Sequence, residues 1–354
     1  MHREGEMSKP KACILSVAGE RLHRDEALFL AQSDPWGVIL MGRSVKTRAQ
    51  VRALVDEIWA ALGRACLIFI DQEGGRVRRM RPPEWPDFPA AGVYSDLYEI
   101  DRGLGIEAAF LGHRLMACEL TPIGIHADCA PVLDLLHPGA HDIVGDRSFG
   151  ATPEKVAALG SAALEGLAAG GVVGVIKHMP GHGRALADSH ESLPVVTADA
   201  AEIAIDFEPF SRLSHAPMAM TAHVAYTAID GDTPATLSRR IINDVIRTRI
   251  GFGGLLMSDD LGMNALGGSL AERTRSIFTA GCDIALHCAG FVKSPEMILN
   301  EMREVASATP ALSGRSLQVA QAAEALALKS EPIDTASAWD RFNELLAIRS
   351  EAVA

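Results

Sequence analysis

Three short segments gather the side chains able to do chemistry. The run "KHMPGHGRALADSHESLP", Lys177 to Pro194, holds His178, His182, Asp188 and His190. "DQEGGRV" sets Asp71 and Glu73 beside two glycines, and "MSDDLGM" sets Asp259 and Asp260 after an apolar run. Asp188 and His190 stand two apart in a polar, glycine-rich segment. A carboxylate beside an imidazole orients its tautomer and favours its protonated form. Such a pair can donate a proton to a leaving group. A metal reading uses His178, His182 and Asp188. Pro180, Gly181 and Gly183 break any regular helix there, which removes the i,i+4 geometry of helical ligands. Each fragment alone also has a bland reading, since a strand-end Asp often caps the next helix.

These residues need a scaffold that brings them together. Eight short apolar runs alternate with amphipathic stretches: "CILSVAG", "WGVILMG", "CLIFID", "GIHADCAPVLD", "GVVGVIKH", "PMAMTAHV", "FGGLLMSDD" and "CDIALHC". Each is too short for a typical helix and reads as a buried parallel strand. "KTRAQVRALVDEIWAALG" reads as a helix, with Thr47 and Gln50 at capping-box spacing and Gly63 as its stop. "TPEKVAALGSAALEGLAAGG" reads as another, with Thr152 as N-cap, Pro153 at the first helical position and Gly170 past its end. Further helices are expected around 24–33, 101–121, 199–214, 238–249, 269–280 and 294–307. The pattern predicts a single-domain (β/α)8 barrel of the TIM type over 1–312, with closing helices over 313–354 packed on the same domain. A doubly wound sheet is the alternative, but no Gly-rich dinucleotide fingerprint follows the first strand. In a parallel barrel, Asp71, Lys177, His178, His223, Asp259, Asp260 and His287 all close strands and meet at one rim. Of Asp259 and Asp260, alternation lets only one face the axis; the other braces.

Composition narrows the function classes. The 354 residues carry 33 Lys and Arg against 45 Asp and Glu, a net charge of -12, which disfavours general binding to nucleic acid or anionic membranes. The six cysteines form no CxxC pair and read as buried, reduced thiols. No signal peptide and no membrane-length apolar window is evident, so a cytoplasmic protein is expected. No obligate protein partner is implied.

In chain order, "GVILMGRS", "DQEGGRV", "APVLD", "GDRSFG", "KHMPGHG", "DSH", "MTAHV" and "SDDLGM" resemble the bacterial β-N-acetylhexosaminidases of glycoside hydrolase family 3. The resemblance implies a (β/α)8 barrel that removes terminal β-linked N-acetylglucosamine with retention of configuration. It implies Asp259 as nucleophile and His190 as acid/base, with Asp188 as the dyad partner of His190. It places sugar-binding roles on Asp71, Arg147, Lys177 and His178, with Arg79 as a further ligand and His223 as a pocket residue. The implied substrates are N-acetylglucosamine-containing muropeptides met in cytoplasmic peptidoglycan recycling. No cofactor or metal is implied. Departures are Met179 where Phe is common, "RALA" before "DSH", and "MGRS" for the more usual "FARN". The second domain of larger family members is not expected, so one barrel would build the whole site.

Two other classes remain open: a metal-dependent barrel hydrolase built on His178, His182 and Asp188, and an amino-sugar-binding protein without turnover. Phosphorolysis is a variant of the first reading, since a His donor tolerates an anionic acceptor better than a carboxylate does. Trp85 and Phe88, in the Pro-rich loop 81–92, read either as a sugar-stacking pair or as loop packing.

Overall fold

The computed structural model describes residues 9–353 apart from 293 and 328. Residues 1–8 and 354, which fall within the expected boundaries, lie outside the described residues. Eight parallel strands form the centre: β1 (Lys11–Ser16), β2 (Pro35–Leu40), β3 (Leu67–Ile70), β4 (Ala127–Asp128), β5 (Val173–Met179), β6 (Met218–Thr221), β7 (Leu255–Met257) and β8 (Ala285–His287). They pair in the order β7-β6-β5-β4-β3-β2-β1-β8. A parallel bridge from Met257 to Ile284 joins the two ends. The result is the expected (β/α)8 barrel.

Side-chain alternation divides the core in two. Ile14, Ile39, Phe69, Val175, Met220, Met257 and Leu286 fill the barrel interior. Val38, Ile68, Ile176, Ala219 and Leu256 point outward and pack under the helices. The helix Arg48–Leu62 buries Val51, Leu54, Val55 and Ile58. Thr47 caps it by accepting from Gln50 N at 3.2 Å, and Gly63 ends it in a left-handed conformation, φ 69°. The Gln50 side chain reaches past the cap to Lys46 N at 3.0 Å, so the box is displaced by one residue.

The helices Arg24–Ser33, Arg102–Leu120, Pro153–Ala169, Leu270–Ala280 and Pro295–Ala308 match their expected ranges. Three elements differ from expectation. A helix over Ala91–Ile100 follows the Pro-rich loop directly, and Asp101 then caps the next helix by accepting from Gly103 N and Leu104 N. The stretch expected as helix over 199–214 is a 3-10 turn, Ile203–Phe207, followed by the short helix Glu208–Arg212. Ile241–Arg249 is wound as a π-helix. The closing helices are Gly314–Leu326 and Thr335–Val353. The first meets the barrel floor, where Trp36 donates to Glu324 at 2.5 Å. The second packs by Phe342 against Tyr94, and Arg341 clamps Glu107 with two bonds.

Candidate active site

A cavity of about 750 Å³ opens at the carboxyl ends of the strands. Chain ends emerging from β3, β5, β7 and β8 supply most of its wall, the arrangement that makes this rim the working face of such barrels. Asp71, Arg79, Arg147, Lys177, His178, His190 and Asp259 all line it.

The floor is a buried ion network. Lys177 Nζ lies 2.6 Å from Glu73 and 3.3 Å from Asp71. Arg147 holds both Glu73 oxygens at 2.8 Å, and Arg79 donates to Asp71 at 2.9 Å. Burial alone would raise both carboxyls. Lys177 and Arg79 outweigh it at Asp71, and Arg147 and Lys177 outweigh it at Glu73, so both stay below the usual carboxylate range. Burial would lower the Lys177 ammonium, but Glu73 and Asp71 raise it, so it remains charged. Fixed charges in a low-dielectric wall suit recognition of hydroxyl and amide groups. Glu73 completes this network. The sequence had it beside Asp71 without a role of its own.

Asp134 is a second residue without an expected role. It closes "APVLD", is fully buried, and accepts from His178 Nδ1 at 2.7 Å, His178 N at 3.2 Å and His182 N at 2.6 Å. It thereby fixes the backbone turn after β5 and the His178 tautomer. Gly183 is required in this turn, because a Cβ there would collide with the Leu135 carbonyl. His182 also lines the cavity, touching Ser189 Oγ at 3.3 Å. Burial, then the neighbouring His178, push its imidazole down to about 4.

Asp188 and His190 form a pair. His190 Nδ1 lies 2.7 Å from Asp188 Oδ1, which also accepts His190 N at 2.8 Å. Partial burial would raise the Asp188 carboxyl; the two His190 bonds overcome this and hold it below its ordinary value. The His190 ring meets the edge of Phe291, centroids 5.9 Å apart. Phe291 lines the cavity mouth and is half exposed; no sequence signal pointed to it.

Asp259 and Asp260 follow the end of β7 and both line the cavity, so alternation does not separate them; they differ in what they bond. Asp259 Oδ1 accepts Asp260 N at 2.7 Å, and its carboxylate makes no ion pair among the described residues. Asp260 is buried and accepts from Gly262 N at 2.9 Å, Cys288 N at 3.0 Å and His287 Nδ1 at 3.1 Å. His287 also meets Glu301 at 3.1 Å. Burial would lower the His287 imidazole, but Asp260 and Glu301 push it up to about 9. A His with a raised folded value stabilises the protein below its unfolded value and loses that contribution as pH rises through the folded one. His287→Gln is therefore expected to cost on the order of 3 kcal/mol below about pH 6.5, less and less as pH rises above that, and almost nothing once pH passes about 9. Denaturant melts of both proteins across that range measure it; a gap independent of pH would mean that His287 is neutral.

His223, expected as a pocket residue, sits behind the wall. It is fully buried, with Nδ1 on Thr236 Oγ1 at 2.7 Å and Nε2 on the Asp260 carbonyl at 3.0 Å. Burial lowers its imidazole. It supports the turn after β7 and does not line the cavity. Trp85 and Phe88 are buried too, Phe88 against Trp339, so the loop-packing reading holds for both. The metal triad does not assemble: His178 is engaged by Asp134 and Asp188 by His190. Among the described residues, no group of three or more His, Cys, Asp or Glu is arranged to hold a metal ion.

A parallel barrel whose rim holds a charged cavity with a carboxylate–imidazole pair suits a hydrolase acting on a polar substrate. The comparisons give the family. Residues 4–323 match the glycosyl hydrolase family 3 N terminal domain. A β-hexosaminidase of Alkalilimnicola ehrlichii is 39% identical over 305 residues, 84% of this chain and 85% of that protein. One from Bordetella avium is 36% identical over 291 residues, 81% and 83% of the two chains. Neisseria gonorrhoeae NagZ, solved with a zinc ion, is 30% identical and superposes with a TM-score of 0.82, covering 96% of this chain and 99% of that one. The same protein in complex with N-trifluoroacetyl-D-glucosamine is 33% identical with a TM-score of 0.75, covering 91% and 99%. The chain belongs to glycosyl hydrolase family 3 and is an enzyme of its β-hexosaminidase type.

Proposed function

We propose that the enzyme removes terminal β-linked N-acetylglucosamine by double displacement. Asp259 attacks C1 of the sugar. The bond from C1 to the leaving oxygen breaks, and protonated His190 gives its proton to that oxygen. A glycosyl ester on Asp259 results. Neutral His190 then takes a proton from water as the water oxygen attacks C1, which frees the sugar and restores the Asp259 carboxylate and the His190 imidazolium. Two inversions give net retention. Asp188 orients the His190 ring and stabilises its cationic form. Asp71, Arg147, Lys177, His178 and Arg79 are proposed as the sugar ligands.

One observation carries this reading: a carboxylate without an ion-pair partner among the described residues and a carboxylate-bound imidazole share a single cavity. The natural substrates are proposed to be N-acetylglucosamine-containing muropeptides of cytoplasmic peptidoglycan recycling. Support for a reducing compartment is that all six cysteines are free and five are buried. No helix among the described residues is long and apolar enough to cross a membrane.

The testing experiment is trapping with a 5-fluoro-N-acetylglucosaminyl fluoride, whose ring fluorine slows both oxocarbenium-like steps and whose departing fluoride needs no proton, so that ester formation outruns its hydrolysis. The glycosyl ester is expected to accumulate, and peptide mapping to find the label in the segment containing Asp259. A label elsewhere, or hydrolysis with inverted configuration, would overturn the mechanism.

A further inference from the structure

The loop that carries Asp188 and His190 has a stem, Gly181 to Ala185, and the stem is tied to one buried carboxylate. Asp206 lies in the 3-10 turn Ile203–Phe207 and is 2% exposed. Its Oδ2 accepts Arg184 Nε at 2.6 Å, and its Oδ1 meets His137 Nε2 at 2.5 Å. Arg184 also donates to the Glu202 carbonyl at 2.9 Å. Gly181 packs so tightly on this residue that a Cβ would stand 2.9 Å from the Asp206 Cβ, and the Tyr226 hydroxyl holds the Gly181 carbonyl. His141 N donates to the Ala185 carbonyl at 2.9 Å. Past Ala185 the chain emerges: Leu186 is 70% exposed and His190 is exposed. There the tip leans on Ser189, which meets His182 and Ala265, and on the edge of Phe291.

Three chain segments thus converge on Asp206: the loop after β4 through His137, the loop after β5 through Arg184, and the turn that bears Asp206 itself. Arg184 is the "R" of the "RALA" departure noted in the sequence, and it stands four residues before Asp188. We propose that Asp206, through Arg184, is a positioning residue that sets the stem of this loop and so presents the His190 imidazole to the leaving-group oxygen. This rests on the reading of His190 as the acid/base. Proton transfer needs heavy atoms at about 3 Å, and a displacement of about 1 Å costs on the order of 100-fold. The buried Asp206 carboxylate holds that distance from outside the cavity, with no contact to the sugar.

Leaving groups separate this role from plain structural support. A 2,4-dinitrophenyl N-acetylglucosaminide departs without protonation, whereas a 4-methoxyphenyl one needs the acid. Arg184→Ala is expected to lower kcat/KM on the methoxyphenyl substrate by about 10- to 100-fold and on the dinitrophenyl substrate by less than about 3-fold. Arg184→Lys, which keeps a cation near Asp206, is expected to recover part of the loss. Inhibition by free N-acetylglucosamine should not change. Asp206→Asn is expected to repeat the Arg184→Ala pattern; if it fails to fold, Arg184→Ala, at a partly exposed side chain, carries the test alone. Equal losses on both substrates, or none, would overturn the proposal. His190→Ala is the reference. If it discriminates between the substrates and the Arg184 variants do not, the clamp is wrong and the acid/base reading stands. If His190→Ala itself shows no discrimination, the acid/base reading is the one that fails.

Discussion

Asp259→Ala is expected to lower kcat on a 4-nitrophenyl N-acetyl-β-glucosaminide by on the order of 10⁴-fold, about 5.5 kcal/mol of barrier, with little change in melting temperature. The size follows from removing the proposed nucleophile, with the proposed sugar ligands left in place. The intact fold follows from local geometry. Asp259 contributes one hydrogen bond, to the backbone of its neighbour, and belongs to no ion pair among the described residues. Added azide, small enough to enter the vacated space, is expected to restore part of the turnover and to yield the product of inverted configuration. Near-normal turnover without azide would remove Asp259 as nucleophile.

Glu73→Gln is expected to be the most damaging single change to the floor, costing about 3–5 kcal/mol in denaturant melts. Lys177 and Arg147 both face Glu73, and both are almost wholly buried. Neutralising that carboxylate leaves two buried cations short of a counter-charge, which costs more than the loss of two surface bridges. The pH dependence has a definite sign. Arg147 and Lys177 depress the Glu73 carboxyl below its unfolded value despite burial. Its stabilisation is therefore present above about pH 4.5 and declines as pH falls through the folded value. The wild type should lose stability in acid more steeply than Glu73→Gln, so the two curves converge at low pH. A constant difference between them would contradict this ion network. Weaker inhibition by N-acetylglucosamine is also expected, because Lys177 and Arg147 would shift.

The strand ends were the most legible part of the chain. "CLIFID", "GVVGVIKH" and "GLLMSDD" each couple a buried apolar run to an ionisable terminus, and parallel pairing sends all three to one rim. Capping signals were equally plain at Thr47 and Gly63. What the sequence concealed depends on distance in space. Asp134 closes "APVLD" as visibly as Asp71 closes "CLIFID". Only the folded turn shows that it holds His178 and His182 together. Glu73 reads as a loop acid until Arg147, from a segment 74 residues away, is laid across it. His223 looks like its fellow strand-end residues. Its partners Thr236 and the Asp260 carbonyl come from later turns, and they draw the ring out of the cavity. The helix Ala91–Ile100 was hidden by prolines that end just before it. The π winding of Ile241–Arg249 left no mark in the apolar pattern.

The "SDD" stretch at the end of β7 alternates in its obligations. Ser258 Oγ accepts Leu286 N at 3.1 Å and Asp260 accepts Cys288 N, so the residues on either side of Asp259 lace β7 to β8. Asp259 alone owes the scaffold almost nothing. On the proposed mechanism, hydrolysis and recognition are therefore separable at one position. A single exchange there is expected to leave a rigid amino-sugar receptor, one codon away from the enzyme.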